Sequence, residues 1–367
     1  MNIKIERKDL LPALNLVSSV VEKRQTLPIL ANLYFNHEDG QLTMVGTDLE
    51  VEISRTVGGA EGENGSFTVS SAKILNITRM LPEDASISFK RDGDNMVVSS
   101  ARSRYKLKCL EAGDFPRIEA DNWEERFKIN ELSLKTLLEK TSFAMAVQDV
   151  RYYLNGVLLE ISNGKLGAIA TDGHRLAQSD VDISLENTET RQLIVPRKAV
   201  GEINRFLEAD GSAELTVEIS KNHLKITKDG TVLITKLIDG KFPEFKGVLE
   251  TELGIVLSIN RHDFIDTMNR AAVLTTDRFK GVKIALENGV MRLTANNPEQ
   301  EEAVEEIELD YSGETVETGY NITYLIDAAR VISSEDMELH LQGNDGICII
   351  KQPDDSRSTW LIMPMRI

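Results

Sequence analysis

Apolar residues recur along the chain with two different spacings. Segments with an apolar residue every three or four positions predict helices over 9–24, 71–80, 133–146, 197–207, 261–274 and 322–332. Ser133 and Asn260 are the predicted N-caps of two of these helices. Shorter segments in which apolar and polar residues alternate, such as 41–45, predict strands. Asp39-Gly40 and Asn163-Gly164 predict tight hairpin turns, because both dipeptides tolerate a positive φ angle.

The same order of elements occurs three times. Thr47, Thr171 and Asn296 end similar strand patterns and lie 124 and then 125 residues apart. The three copies close with Phe115-Pro116, Phe242-Pro243 and Met363-Pro364. A period of this length is too long for a solenoid repeat and has the size of a domain. The sequence therefore predicts domains at 1–122, 123–249 and 250–367, each α+β with an antiparallel sheet on one side and two helices on the other.

The composition has an acidic balance. The chain has 42 Lys and Arg residues against 59 Asp and Glu residues, a net charge of −17, and only two cysteines. No apolar run approaches the roughly 20 residues of a membrane span, and the first residues lack the apolar core of a secretory signal. We therefore expect a cytoplasmic protein without a disulfide framework. Tight phosphate binding by the surface as a whole is disfavoured.

The predicted helices have the opposite charge balance. They carry twelve basic and seven acidic residues, although the chain as a whole is acidic. If all helices share one surface, that surface is mildly positive and attracts a phosphate backbone without gripping it. The alternative is that helix surfaces are simply rich in Lys and Arg. Glu is an equally good helix former, so that alternative does not predict the sign.

Eight sequence strings carry a resemblance that extends over nearly the whole chain. They are Thr26–Leu30, Gly46–Glu50, Gln148–Gly156, Ala170–Leu176, Val195–Lys198, Asp239–Pro243, Ala295–Glu301 and Met363–Ile367. In these strings the chain resembles the bacterial DNA sliding clamps, the β subunits of DNA polymerase III. The resemblance implies a non-enzymatic processivity factor without a metal or cofactor. It also implies a homodimeric ring of six domains, with the sheets outside and the helices around a lumen that encloses double-stranded DNA.

The resemblance also implies residues that contact DNA without reading its sequence. They are Arg24, Lys73, Gln148, Tyr152, Tyr153, Arg197 and Lys198. The two tyrosines could pack on sugars or stack on an exposed base. Alternatively, one of them packs in the core, since neighbours on a strand face opposite sides. Relatives often carry Arg at the position of Lys73, and Lys cannot make the bidentate contact of Arg.

A peptide groove is the second implied site. By resemblance it receives short apolar motifs from the replicative DNA polymerase, the clamp loader, other polymerases and repair proteins. Its residues are Leu154, Thr171, Gly173, His174, Arg175, Leu176, Pro243, Val248, Asn321, Tyr324, Met363, Pro364, Met365 and Arg366. His174, Arg175 and Arg366 are expected to orient an acidic or carbonyl-rich peptide. Residues 360–365 are predicted to form a strand that also lines the groove.

The resemblance places a head-to-tail dimer contact between the first and third domains. Its residues are Arg102, Arg104, Tyr105, Leu107, Val273, Leu274, Glu299, Glu301, Glu302 and Glu305. We expect ion pairs between these arginines and glutamates, which help to set the register of the contact. The alternative for 299–306 is a solvated acidic loop.

Parts of the sequence are compatible with two other functions. Asp172 and His174 could serve a hydrolase, but the sequence contains no Gly-x-Ser-x-Gly nucleophile motif and no phosphate-binding loop. The four other histidines show no spacing typical of zinc ligands. A protein-interaction scaffold without a DNA role is the second alternative, and the positive balance of the helices counts against it.

Overall fold

The computed structural model of the chain describes residues 1–22, 27–119, 122–185, 189–208, 211–249, 254–276 and 279–367. These residues form seven α-helices and twenty-five strands, and the strand pairings among them are antiparallel. The helices are α1 (Arg7–Val17), α2 (Ser71–Met80), α3 (Glu131–Glu139), α4 (Arg197–Phe206), α5 (Lys246–Leu249), α6 (Arg261–Ala271) and α7 (Ile322–Arg330). No helix among the described residues combines the length and apolar character needed to cross a membrane.

The strands follow the predicted repeat. The first copy has β1 (Asn2–Glu6), β2 (Asn32–Glu38), β3 (Gln41–Thr47), β4 (Val51–Gly58), β5 (Glu61–Gly62), β6 (Gly65–Ser70), β7 (Ser86–Asp92), β8 (Asn95–Ser100) and β9 (Ser103–Lys108). The second has β10 (Glu125–Asn130), β11 (Gly156–Ser162), β12 (Lys165–Thr171), β13 (Arg175–Asp182), β14 (Arg191–Pro196), β15 (Glu214–Ile219), β16 (His223–Lys228) and β17 (Thr231–Lys236). The third has β18 (Ile255–Asn260), β19 (Gly281–Glu287), β20 (Val290–Asn296), β21 (Glu302–Glu308), β22 (Val316–Asn321), β23 (Asp336–Leu341), β24 (Cys348–Lys351) and β25 (Thr359–Ile362).

Several helix ends differ from the prediction. Helix α3 begins at Glu131, because the Asn130 side chain accepts a 3.0 Å hydrogen bond from the amide of Leu132. The predicted N-cap Ser133 is therefore wrong, whereas Asn260 caps α6 as predicted. Helix α1 ends at Val17 instead of residue 24, since the chain turns at Ser19 and its hydroxyl binds the Leu16 carbonyl. The last turns predicted for α3 and α6 are instead separate 3₁₀ turns at Ser142–Ala144 and Ala272–Leu274.

The hairpin turns are confirmed. Asp39 and Gly40 have φ angles of 50° and 80°, and Asn163 and Gly164 have φ angles of 50° and 74°. A two-residue turn with both φ angles positive matches the right-handed twist of the strands that it joins.

The described residues form two compact units. Unit 1 consists of Met1–Leu132 and Lys198–Leu237, and unit 2 consists of Ser133–Arg197 and Ile238–Ile367. Unit 1 contains sheet A, in the order β5-β1-β7-β8-β9, and sheet B, in the order β10-β15-β16-β17-β4-β3-β2-β6. Unit 2 contains sheet C, in the order β14-β11-β12-β13-β25-β24-β23-β18, and sheet D, in the order β21-β20-β19-β22.

Sheets B and C each join four strands of one repeat to four strands of the next. The junction in sheet B pairs β4 with β17, and Ile53 lies opposite Leu233. The junction in sheet C pairs β13 with β25, and Ala177 lies opposite Trp360. Strand pairing thus crosses both predicted domain boundaries, which the sequence pattern did not indicate. The boundaries themselves stay a prediction.

Each unit has its own apolar core. In unit 1, Phe35 stacks on Phe67 with ring centroids 4.8 Å apart, and Phe89 packs against both rings. In unit 2, the largest fully buried side chains include Trp360 and Tyr320. These aromatic residues lie on strands, where alternate side chains face the core.

Candidate functional site

An apolar cavity of about 230 Å³ opens beside β13 in unit 2. Eight predicted groove residues line it: Leu154, Thr171, Gly173, Arg175, Leu176, Pro243, Val248 and Met363. Five residues absent from the prediction also line it: Arg151, Phe242, Glu244, Phe245 and Leu361. We call this site the β13 cavity.

The floor of the β13 cavity belongs to the core of unit 2. Leu154, Leu176, Phe242, Phe245 and Leu361 are all buried in one apolar cluster. At the rim, Val248 and Met363 are about two-fifths exposed, at 42% and 40%. A buried floor with an exposed apolar rim suits a ligand that contributes its own apolar side chains.

Arg175 holds one wall of the cavity together. Its guanidinium donates to Asp172 at 3.1 Å, to Asp327 at 2.7 Å and to the Phe143 carbonyl at 2.7 Å. The same group lies 4.3 Å from the centre of the Tyr324 ring, a cation–π distance. With its donors engaged within the chain, Arg175 is suited to shaping the wall.

Asn321 and Tyr324 are absent from the cavity lining, although Tyr324 contacts Arg175 in its wall. The Asn321 side chain caps α7 by accepting a 3.0 Å hydrogen bond from the Thr323 amide. Burial raises the pKa of Tyr324, and the neighbouring Asp172 adds to this shift. The phenol therefore stays neutral and continues to stack against Arg175.

Arg151 is the cavity cation that remains half exposed. Its guanidinium forms a bidentate ion pair with Asp149, with hydrogen bonds of 3.0 and 2.9 Å. These hydrogen bonds lower the pKa of Asp149 to about 2. Arg151 stands in the Gln148–Gly156 string, but neither its charge nor its spacing marked it as part of the groove.

Residues 363–367, which we call the terminal segment, follow β25 without continuing it. The predicted strand over 360–365 is wrong beyond Ile362, because Pro364 has no amide hydrogen for a ladder. The Met363 amide donates to the His174 carbonyl at 2.9 Å, and the Met365 amide donates to the Gly319 carbonyl at 2.8 Å.

The other predicted groove residues lie outside the β13 cavity. The His174 side chain is exposed, and the residue holds the terminal segment through its backbone carbonyl. Met365 and Arg366 line a more polar cavity of about 520 Å³ beside β22, together with Lys283, Glu317 and Asp345. Pro364 lines neither cavity.

The residues predicted to contact DNA differ in whether an ion pair among the described residues already engages their side chains. Lys198 forms ion pairs with Glu22 and Asp48 within unit 1. Burial alone would lower the pKa of Lys198, but the hydrogen bonds to these carboxylates outweigh it and raise the pKa. Lys73 is exposed on α2, and no ion pair within the described part of the chain involves it. Arg24 lies outside the described residues.

Gln148, Tyr152, Tyr153 and Arg197 belong to unit 2. Gln148 is exposed and has a φ angle of 54°, and Arg197 donates to the Met145 carbonyl at 3.1 Å. The tyrosines occupy a 3₁₀ turn, so the strand alternation that we considered does not apply. Tyr152 is 57% exposed, whereas Tyr153 packs against the apolar cluster beneath the cavity.

The predicted interface residues lie on or next to two sheet edges and in one 3₁₀ turn. Arg104, Tyr105 and Leu107 lie on β9, the edge of sheet A, and Arg102 is in the turn before it. Glu302 and Glu305 lie on β21, the edge of sheet D, and exposed Glu299 and Glu301 precede them. Val273 and Leu274 form a 3₁₀ turn after α6, and Val273 is 78% exposed. Glu305 already has a partner in its own chain, Arg270, at 2.9 Å.

Three domain families match successive parts of this chain. They are the N-terminal, central and C-terminal domains of the DNA polymerase III beta subunit, which match residues 1–119, 128–244 and 246–366. The chain belongs to the DNA polymerase III beta subunit family.

Relatives in this family match from end to end. The beta sliding clamp of Pseudomonas aeruginosa is 39% identical over 369 residues, and that of Escherichia coli K12 is 38% identical over 370 residues, each with full coverage of both chains. Among solved structures, the P. aeruginosa DNA polymerase III subunit beta superposes with a TM-score of 0.96 at 38% identity. The Caulobacter crescentus subunit superposes with a TM-score of 0.94 at 34% identity, and both structures are covered completely.

Family membership confirms the three-domain α+β clamp fold and the resemblance in the sequence strings. It also gives the chain the function of a processivity clamp, a polymerase subunit without an active site of its own. Asp172 and His174 therefore belong to a structural turn of a clamp. The Asp172 carboxylate accepts the amides of His174 at 2.9 Å and Arg175 at 3.1 Å.

Proposed function

We propose that two copies of this chain join head to tail into a closed ring that encircles duplex DNA without reading its sequence. Enclosure then retains the DNA, and a weakly positive lumen allows the ring to slide. The observation that carries this proposal is the pairing of β4 with β17 and of β13 with β25, which leaves β9 and β21 as sheet edges. We also expect the ring to work in the cytoplasm, where its two buried cysteines stay reduced.

Equivalent strands in the three repeats make equivalent contacts. Thr47, Thr171 and Asn296 end β3, β12 and β20, and each pairs with the strand that follows it. By these registers Ile53, Ala177 and Ala303 are equivalent residues. In the other half of the repeat, Tyr105, Leu233 and Trp360 are equivalent by the same comparison.

The third junction needs a second copy of the chain. Ile53 pairs with Leu233, and Ala177 pairs with Trp360, so the same rule pairs Ala303 with Tyr105. These two residues lie on β21 and β9, which are the edges of sheets D and A. An open edge presents unpaired amides and carbonyls that a strand of another molecule can bind. Pairing β21 of one copy with β9 of its partner completes a sheet of the kind seen at the other junctions, and two such contacts close a ring under two-fold symmetry.

This register identifies which charges meet. Arg104 lies directly opposite Val304, and Glu302 and Glu306 are its diagonal neighbours on the same face of the sheet. Diagonal neighbours are about 7–8 Å apart, within reach of long side chains. Glu301 and Glu305 fall on the other face, opposite Leu107 and Ser103.

The helices supply the attraction for DNA. Within the observed bounds, α1, α2, α3, α4, α6 and α7 carry eleven basic and seven acidic residues in a chain of net charge −17. Backbone contacts of this kind position a duplex without specifying its sequence. We propose Arg24, Lys73, Gln148, Tyr152, Tyr153, Arg197 and Lys198 for these contacts.

We further propose that partner proteins dock in the β13 cavity. The partners are the replicative DNA polymerase, the clamp loader, other polymerases and repair proteins, each through a short apolar peptide motif. The buried leucine and phenylalanine floor and the Met363 rim support this assignment. A solved clamp structure from P. aeruginosa has griselimycin bound, so that relative does bind a ligand.

Retention on DNA tests the ring. Clamps loaded by a clamp loader on nicked circular DNA should remain bound at high salt and leave once the circle is linearised. A clamp held only by phosphate contacts would instead dissociate equally from both DNAs, with the salt dependence of counterion release. Equal loss from both would refute enclosure.

A further inference from the structure

We propose that Gly281 and Gly319 are positioning residues for partner binding. Because neither has a side chain, the terminal segment can lie against them and is held at the rim of the β13 cavity. We call these two glycines the seat. This inference rests on the proposed docking function of that cavity. Neither glycine lines the β13 cavity itself.

The terminal segment lies unusually close to sheet D. A Cβ atom added to Gly319 would lie 2.5 Å from the Met365 carbonyl oxygen and 2.6 Å from the Ile367 side chain. A Cβ atom on Gly281 would lie 3.2 Å from the Ile367 side chain. Neither glycine has a positive φ angle, so close approach, and not backbone conformation, requires glycine here.

The repeats provide an internal comparison. In the second repeat, Ile238 follows the last strand and donates to the Ile194 carbonyl at 2.9 Å, as Met365 does to Gly319 in the third. Ile194 and Gly319 are equivalent residues, each two positions before the end of the strand that precedes a helix. The chain therefore crosses this strand edge in both repeats, but only in the third does it pass over a residue without a side chain.

The seat fixes one side of the cavity rim. Met363 is held by the carbonyl of His174, in the turn before β13, and Met365, two residues later, is held by Gly319 on β22. Pro364 between them restricts the backbone, so a shift of Met365 is passed on to Met363. Met363 contributes its side chain to the β13 cavity, and its position depends on the two anchors together.

The test measures binding of a fluorescein-labelled peptide that carries the apolar clamp-binding segment of a DNA polymerase. Gly319→Ala should weaken binding by about tenfold, while the dimer and the melting temperature stay close to those of the wild type. Gly254→Ala is the matched control, since a Cβ atom there meets nothing within 4 Å. Hydrogen exchange provides a direct readout, because Gly319→Ala should accelerate exchange of the Met365 amide.

A double-mutant comparison of Gly281 and Ile367 distinguishes the proposed contact from general misfolding. The three atoms nearest to a Cβ atom on Gly281 all belong to the Ile367 side chain, so Gly281→Ala should weaken peptide binding in the wild type and have little further effect in an Ile367→Ala background. Full peptide affinity in Gly319→Ala, with Met363→Ala still weakening binding, overturns the seat and leaves the docking function standing. If Met363→Ala also has no effect, the assignment of the cavity itself fails.

Discussion

Glu52 and Leu176 occupy equivalent positions in the first two repeats, opposite Thr47 and Thr171 respectively. Glu52 is covered by the segment between β9 and β10. Arg117 in this segment binds the Glu52 carboxylate bidentately at 2.9–3.1 Å, and the Ile118 amide donates to it at 3.0 Å. Leu176 instead faces the open β13 cavity. The ion pair between buried Glu52 and half-exposed Arg117 thus holds residues 117–118 onto sheet B, whereas the equivalent position in the second repeat opens onto the β13 cavity.

Removal of Arg117 should destabilise the chain. Glu52 is only 2% exposed, and Arg117→Ala leaves this carboxylate without its cation. We expect the free energy of unfolding to fall by about 3 kcal/mol, because an unpaired buried charge is costly. Lys128→Ala is the control, since the Lys128–Glu214 pair is exposed and should contribute about 0.5 kcal/mol or less. Urea denaturation measures the loss of unfolding free energy in each variant. Equal losses would show that the Arg117–Glu52 pair contributes no more stability than an exposed ion pair.

A charge in the β13 cavity should abolish docking. The first repeat has a glutamate, Glu52, at the position of Leu176. Leu176→Glu places the same residue in the β13 cavity, where Glu244 and not an arginine occupies the position of Arg117. We expect peptide affinity to fall at least about 100-fold, because the carboxylate replaces apolar surface that the peptide would cover and must lose its hydration when the peptide docks. Leu176→Met preserves the volume and should retain affinity within about tenfold. Fluorescence anisotropy distinguishes these outcomes, and tight binding by Leu176→Glu would exclude this cavity as the docking site.

Release of Lys198 from its carboxylates should strengthen the hold on DNA. Glu22→Gln removes one of the two anions that compete with phosphate for this lysine. Binding to linear duplex should tighten and its salt dependence should steepen by about one unit of slope. Glu214→Gln removes an equal charge from an exposed ion pair between β10 and β15 and is the control. Identical effects of both changes would mean that only net charge matters.

The register of the proposed dimer contact predicts specific charge couplings. Arg104→Glu should shift the sedimentation profile toward monomer, and Glu302→Arg or Glu306→Arg should partly restore the dimer. Glu301→Arg should not restore it, because residue 301 falls on the opposite face of the sheet. Rescue by Glu301→Arg alone would require a register shifted by one residue.

The Asp149–Arg151 pair should persist to low pH. The folded-state pKa of Asp149 is lowered to about 2 from an ordinary value of 3.8, so its contribution is fully present above the ordinary value and is lost as the pH falls toward 2. A carbon-13 titration of the Asp149 carboxyl group should therefore show little change between pH 8 and about 4, where an aspartate of ordinary pKa is already partly protonated. In Arg151→Ala the midpoint should move up toward the ordinary range. An unchanged midpoint would assign the shift to another group.

The order of the elements could be predicted from the chain because it depends on local chemistry. Apolar spacing located the six longer helices, and Asp39-Gly40 and Asn163-Gly164 marked turns that only residues tolerant of positive φ can form. Helix ends were less predictable, since more than one residue near a helix end is a good cap, as Asn130, three positions before Ser133, illustrates. Eight cavity residues followed from the family resemblance.

By itself, the sequence determined the threefold repeat, its α+β character and the strings that mark the family, because these depend on residue type and spacing. Only the tertiary structure decided that β4 pairs with β17 and β13 with β25, since strand partners distant in sequence leave no local signal. It also decided that Arg175 is engaged by Asp172 and Asp327 in the cavity wall, while Arg151 pairs with Asp149 and stays half exposed. Charge alone cannot distinguish two arginines, because what each one does depends on the groups that folding brings around it.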